Sequence, residues 1–150
     1  MTGKADFSPE EWELVLGAPP SAGLVVATAQ RGGTFRESFS IAKAYAEARK
    51  RHGDSELLDA IVSAKPEMDV KRYSSASELE RDLLQKIRDA VALVGQKATP
   101  EEADAYRRFI ADLAERVAEA HREGFLGLTG DRVSEAEREA IERIKEAVGA

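Results

Sequence analysis

Five copies of one helix-starting signal constrain the fold of this chain more than any other feature. The signal is the capping box, in which a Ser or Thr hydroxyl accepts a hydrogen bond from the backbone N–H three residues on. The Glu at that position accepts one from the N–H of the Ser or Thr. With no competing strand pattern, the repetition predicts an all-α protein. The boxes are Ser8–Glu11, Thr34–Glu37, Ser77–Glu80, Thr99–Glu102 and Ser134–Glu137.

The spacing of apolar residues divides the chain into about seven helices. The pair Pro19-Pro20 separates the first two, because proline disfavours helix in the residue before it, and Gly17 closes the first. The second is apolar nearly all round, which is typical of the buried centre of a bundle. Gly95 closes the fifth, and the sixth is the longest and spans the domain. The expected helices are at about 9–16, 20–31, 34–51, 55–64, 77–94, 100–123 and 135–148.

Length and charge limit the class of protein. The 150 residues predict a single helical domain, 1–150, with 1–7 as a flexible N-terminus. A net charge of −6 disfavours nucleic acid and anionic membranes as partners. Cysteine is absent, which excludes disulfides and thiol chemistry. The first residues do not resemble a signal peptide, and no apolar run approaches the roughly 20 residues of a membrane span, so we expect a cytoplasmic protein.

Two segments of the chain resemble each other. The stretches 26–33 and 117–124 share five of eight residues, and each ends a predicted helix at glycine before the next capping box. A duplicated helical hairpin explains the similarity. Chance similarity in a chain rich in Ala and Arg explains it equally well.

A glycine-rich segment between the last two helices is the candidate binding site. Glycines alternate there with apolar side chains, whereas solvated loops are ordinarily polar. Such a segment either forms a ligand mouth or docking surface, or closes the end of the bundle as a loop. The candidate ligand- or partner-binding residues are Gly124, Phe125, Leu126, Gly127 and Leu128, together with His121 at the end of the preceding helix.

Catalytic and metal-binding patterns are missing. Di-iron bundles use Glu-x-x-His, but Arg49 and Ala118 stand three residues before the two histidines, His52 and His121. The segment Ser40–Lys43 matches Ser-x-x-Lys, yet it lies within a predicted helix and lacks the companion motifs of that serine chemistry. We therefore predict no catalytic residue, no metal ligand and no cofactor.

Two family resemblances add expectations. The stretch Val117–Glu137, with Phe7–Trp12 near the start of the chain, resembles a family of small, uncharacterised, all-helical bacterial proteins. That family has no assigned activity, so the resemblance implies a helical fold and adds no function. A shorter stretch with Val133, Ser134, Glu137 and Ile141 is similar to TerB-type tellurite-resistance helical domains. That likeness implies a stress-associated protein with a small-ligand or metal site.

The sequence favours a cytoplasmic, non-enzymatic protein-interaction module. Its partner would be an unknown protein or a second copy of the chain in a homodimer, and not nucleic acid or a membrane. The alternative is a stress-associated, TerB-like protein with a small-ligand or metal site.

Overall fold

The computed structural model describes residues 4–29, 43, 45–50, 56–63, 76–124 and 135–149. Within helices, the side chains at 4, 27–29, 56, 76–77, 119–124 and 135–137 lie outside that description. Over the described ranges the protein is all-α, as predicted. A short 3-10 helix, Lys4–Asp6, precedes six α-helices: α1 Pro9–Ala29, α2 with residues 45–50, α3 Glu56–Ser63, α4 Ala76–Lys97, α5 Pro100–Gly124 and α6 Glu135–Val148.

Four long helices pack around one apolar core. α1 lies against α4, α5 and α6, which also contact one another, and α3 packs on α5. Each of the four long helices contributes fully buried aliphatic side chains to the core, and burial of each such side chain is worth about 1.5–3 kcal/mol. These include Val15, Val26, Ile87, Ile110 and Ile144. None of the helices in the described part of the chain is both long and apolar enough to span a bilayer.

The prediction of two separate helices before residue 31 is wrong. α1 continues from Pro9 to Ala29 with Gly17, Pro19 and Pro20 inside it, which reduces the expected seven helices to six in the described part. A proline inside a helix costs about 3 kcal/mol or more, partly because its missing N–H leaves a carbonyl unpaired. Packing outweighs that local cost here, since both prolines are buried in the bundle.

A side chain on another helix replaces one of the lost backbone bonds. Pro19 has no N–H to donate to the carbonyl of Val15, four residues before it. The hydroxyl of Tyr106, on α5, donates to that carbonyl at 2.7 Å. A tertiary hydrogen bond therefore occupies the acceptor that the proline leaves open.

The ends of the later helices follow the sequence closely, with one exception. α6 has the predicted bounds, and α3 and α5 agree with theirs to within one residue. Gly95 does not close α4, which runs on to Lys97. Among the described residues, Gly149 lies in the left-handed region with φ of 79°, and its N–H donates to the carbonyl of Glu146 at 3.1 Å, which closes α6.

The capping box at α1 forms both of its hydrogen bonds, the one at α5 forms one of them, and the one predicted for α4 does not begin its helix. The Ser8 N–H donates to the Glu11 carboxylate at 2.8 Å, and the Glu11 N–H donates to the Ser8 hydroxyl at 3.2 Å. At α5, the Glu102 N–H donates to the Thr99 hydroxyl at 3.2 Å. α4 begins at Ala76, one residue before its predicted cap. The boxes that open at residues 34 and 134 lie outside the described residues.

Lys97 fastens the start of the chain to the end of α4. Its ammonium group donates to the Glu11 carboxylate at 2.8 Å and to the Asp6 carbonyl at 3.1 Å. It also lies 5.5 Å from the centroid of the Phe7 ring, which packs on Trp12 and is only 7% exposed. Residues 5–12 are thus held by one cation and one aromatic pair.

We expect Gly17→Ala to raise the free energy of unfolding by about 0.5–1 kcal/mol, because Ala is preferred to Gly inside a helix. A Cβ at this position meets nothing within 4 Å. Urea denaturation measures the change. Gly149→Ala is the matched control and should lower stability, since its φ of 79° strains a residue with a Cβ. A loss of stability in Gly17→Ala would instead support the helix end that the sequence predicts.

The Lys97 contact also predicts a pH dependence. Its hydrogen bond to Glu11, followed by that of the Ser8 N–H, lowers the pKa of Glu11 below 4.5. A carboxylate with a lowered folded-state pKa adds stability above its unfolded pKa and loses it as the pH falls. Wild type should therefore be more stable than Lys97→Gln at neutral pH, and this difference in stability should shrink as the pH falls below 4.5.

Thermal melts from neutral to acid pH measure the difference in melting temperature between wild type and Lys97→Gln. Lys145→Gln is the control, because it removes an equal charge from the Lys145–Glu115 pair on other helices. An advantage over Lys97→Gln that does not change with pH would contradict the prediction.

Candidate functional site

The structure describes only part of the site predicted from sequence. His121 and Gly124 lie in the last turn of α5, with side chains outside the description. Phe125, Leu126, Gly127 and Leu128 lie outside the described residues altogether. The same is true of residues 30–33, so the proposed duplicated hairpin stays a prediction.

The two helices that flank the glycine-rich segment are fixed to the bundle. α5 and α6 contact each other, and both contact α1. Lys145 of α6 forms an ion pair with Glu115 of α5 at 3.1 Å, and Arg143 of α6 pairs with Glu80 of α4. The backbone positions at which the segment begins and ends, 124 and 135, therefore belong to helices of one packed unit.

The described interior contains a polar group, the hydroxyl of Tyr45. Tyr45 on α2 is 1% exposed, and its hydroxyl has no hydrogen-bond partner within the described structure. Its ring meets that of Phe109 on α5 edge to face, with centroids 5.4 Å apart. A buried hydroxyl without a partner costs about 1–3 kcal/mol, so this position is a candidate for binding a small polar molecule.

A second buried tyrosine differs from Tyr45 in its hydrogen bonding. Tyr106 on α5 is fully buried, and its hydroxyl donates to the Val15 carbonyl. Burial raises the pKa of both phenols well above the usual value, and the guanidinium of Arg49 opposes that shift at Tyr45 only in part. Both groups are therefore neutral at physiological pH.

The charge of Arg49 acts on the Tyr45 phenol. The Arg49 Nε donates to the carbonyl of Val62 on α3 at 2.6 Å, which ties α2 to α3. Two residues before Arg49, Glu47 pairs with Arg116 of α5. The helix that carries Tyr45 is thus held on two sides by charged side chains.

The arrangement supports binding rather than proton transfer. A neutral phenol can donate one hydrogen bond and accept others. A phenol with a raised pKa remains protonated at neutral pH and is a poor general base. The Tyr45 phenol therefore offers a hydrogen-bond donor rather than a proton acceptor.

The other buried donor without a partner is less informative. Arg107 Nε has no acceptor in the described structure, but the Arg107 side chain is 37% exposed and its Nη1 donates to Asp104 at 3.1 Å. Solvent is close enough to this guanidinium to hydrate it. Tyr45 is therefore the stronger candidate of the two.

Metal coordination can be examined in the same part of the chain. Within the described ranges, no three His, Cys, Asp or Glu side chains come together in a group that could hold an ion. Several carboxylates there form ion pairs with basic side chains of other helices. These are Glu11 with Lys97, Glu47 with Arg116, Glu80 with Arg143 and Glu115 with Lys145.

In the sequence, Tyr45 and Tyr106 stand among apolar residues at helical spacing, which predicts burial but does not show what their hydroxyls bind. The signal was present, because a buried tyrosine usually finds a hydrogen-bond partner for its O–H group. Pro19 leaves the Val15 carbonyl without its backbone donor, and that carbonyl is the partner of the Tyr106 hydroxyl. Only the packed structure brings these two groups together, since Val15 and Tyr106 are 91 residues apart in the chain.

No family model, curated protein or solved structure matches the chain. The two resemblances from the sequence remain predictions.

Removal of the hydroxyl should change the stability of the protein in opposite directions at Tyr45 and at Tyr106. In the ligand-free protein, Tyr45→Phe should raise the free energy of unfolding by about 1 kcal/mol, because it removes a buried hydroxyl without a partner. Tyr106→Phe should lower it by about 1–2 kcal/mol, because the Val15 carbonyl loses its donor. Urea denaturation of both variants gives the comparison. A loss of stability in Tyr45→Phe would show that this hydroxyl already has a partner.

Proposed function

We propose that this protein is a non-catalytic interaction module of the cytoplasm. It binds a protein partner, or a second copy of itself, through the glycine-rich segment with Phe125, Leu126 and Leu128. Membranes and nucleic acid are not part of the proposal, because the chain carries a net charge of −6.

The contact between α5 and α6 is the observation that carries the proposal. Both helices pack on α1, and Lys145 and Glu115 join them at 3.1 Å. Proteins place binding residues on connections whose ends are positioned by a rigid scaffold. The connection from α5 to α6 meets that condition at both ends.

The sequence of that connection supplies the second support. Glycines at 124, 127 and 130 alternate with apolar residues, so that Phe125, Leu126 and Leu128 stand within four consecutive positions of the sequence. Contiguous apolar side chains on a connection are typical of docking surfaces.

Native mass spectrometry of protein purified gently from its own host tests the proposal. We expect a dimer or a co-purifying protein with the wild type, and its loss in the double variant Phe125→Ser with Leu128→Ser. Leu14→Ser, a half-buried leucine of α1, is the control for the loss of apolar surface. Circular dichroism checks that each variant is folded.

Two outcomes would contradict the proposal. One is a wild-type monomer of 16.3 kDa with no partner captured by crosslinking in cells. The other is an association that the double variant leaves unchanged.

The buried Tyr45 hydroxyl favours a second candidate, the binding of a small ligand. That hydroxyl is a donor without an acceptor in the described interior, and Phe109 supplies an apolar wall beside it. In the same spectra this function predicts a small bound mass, lost in Tyr45→Phe and kept in the double variant of the glycine-rich segment. Loss of the bound mass only in the segment variant would contradict a site at Tyr45.

A further inference from the structure

The two halves of α1 are packed differently. Every described side chain from Pro19 to Val26 is buried, so this half is surrounded by the bundle. From Pro9 to Ala18 only Trp12, Val15 and Ala18 are buried, and the rest of that half is partly or fully exposed. Segments with fewer buried apolar contacts open at lower free-energy cost.

The backbone ladder is interrupted where these halves meet. Pro19 and Pro20 have no N–H, so the carbonyls of Val15 and Leu16 lack their usual helical donors. Gly17 stands two residues before Pro19, and a Cβ there would meet nothing within 4 Å. The junction therefore lacks two backbone hydrogen bonds, and its glycine contributes no side-chain packing.

In addition to the apolar packing of Phe7, Trp12 and Val15 in the core, two polar contacts from other helices hold the first half in place. At one end of it, Lys97 of α4 binds the Glu11 carboxylate and the Asp6 carbonyl. At the other end, the Tyr106 hydroxyl of α5 binds the Val15 carbonyl at 2.7 Å. Both contacts are made by single side chains.

We propose that residues 5–18 form a latch segment, which detaches from the bundle as a unit by bending at Pro19-Pro20. The hydrogen bond from Tyr106 to Val15 sets how often the segment is closed. Residues 20–26 stay in the core when it opens. This conformational device is independent of the proposed function.

Opening would change the surface of the protein considerably. Phe7, Trp12, Val15 and Ala18 would leave the core, and the faces of α4 and α5 beneath the latch segment would meet solvent. The buried Tyr106 hydroxyl would exchange its carbonyl partner for water.

Hydrogen exchange followed by mass spectrometry on the full chain tests this proposal. Peptides from 9–18 should exchange faster than peptides from 21–29 in the wild type. In Tyr106→Phe, exchange in 9–18 should rise roughly five- to thirty-fold relative to 21–29, the effect of losing one buried hydrogen bond. Tyr45→Phe is the matched control, because it removes the same atom from a tyrosine on α2, and it should leave that ratio unchanged.

A second variant tests the role of the prolines. Pro19→Ala restores an N–H for the Val15 carbonyl, so exchange in 9–18 should slow towards that of 21–29. Three results would overturn the proposal. These are equal exchange of the two halves in the wild type, a rise in Tyr106→Phe shared equally by α1, α4 and α5, and a Pro19→Ala variant in which 9–18 opens more often relative to 21–29.

Discussion

The hydrogen bond from the Tyr106 hydroxyl to the Val15 carbonyl is the contact on which the rest of the structure depends. It lies where a continuous α1 is weakest, at an acceptor that Pro19 leaves without a donor. A continuous α1 can contact α4, α5 and α6 along one axis. If the helix ended at Gly17, the apolar residues after it would form a second helix with a different axis. The core would then have to be packed around two shorter helices instead of one.

Local sequence signals and tertiary packing agree on the ends of some helices in this protein and disagree at Pro19-Pro20. The bounds of α5 and α6 could be predicted because capping residues and apolar spacing indicate the same helices. At Pro19-Pro20 the local signal indicates a break, and burial of both prolines overrides it. The donor that makes this tolerable is 91 residues away, so no local pattern around the prolines reveals it.

One of the two candidate sites could be predicted from the sequence, and the other could not. The segment with Phe125 and Leu128 could be found from sequence, because apolar side chains between glycines are unusual. Tyr45 could not be recognised, since its place in an apolar stripe is typical of an ordinary core residue. Its distinguishing property is a hydroxyl without a partner in the described interior, and that depends on what α3 and α5 place around it. Sequence can thus indicate unusual composition, but not an unmet bonding requirement.

The distance along the chain between Val15 and Tyr106 also affects how the protein is made. At about 5–20 residues per second, the ribosome needs roughly 5–20 s to add the 91 residues that separate them. During that time α1 has left the ribosome's active site without α5, and its apolar stretch before residue 27 lacks the helices that bury it. The burial of this stretch in the bundle is therefore completed only after most of the chain has been synthesised.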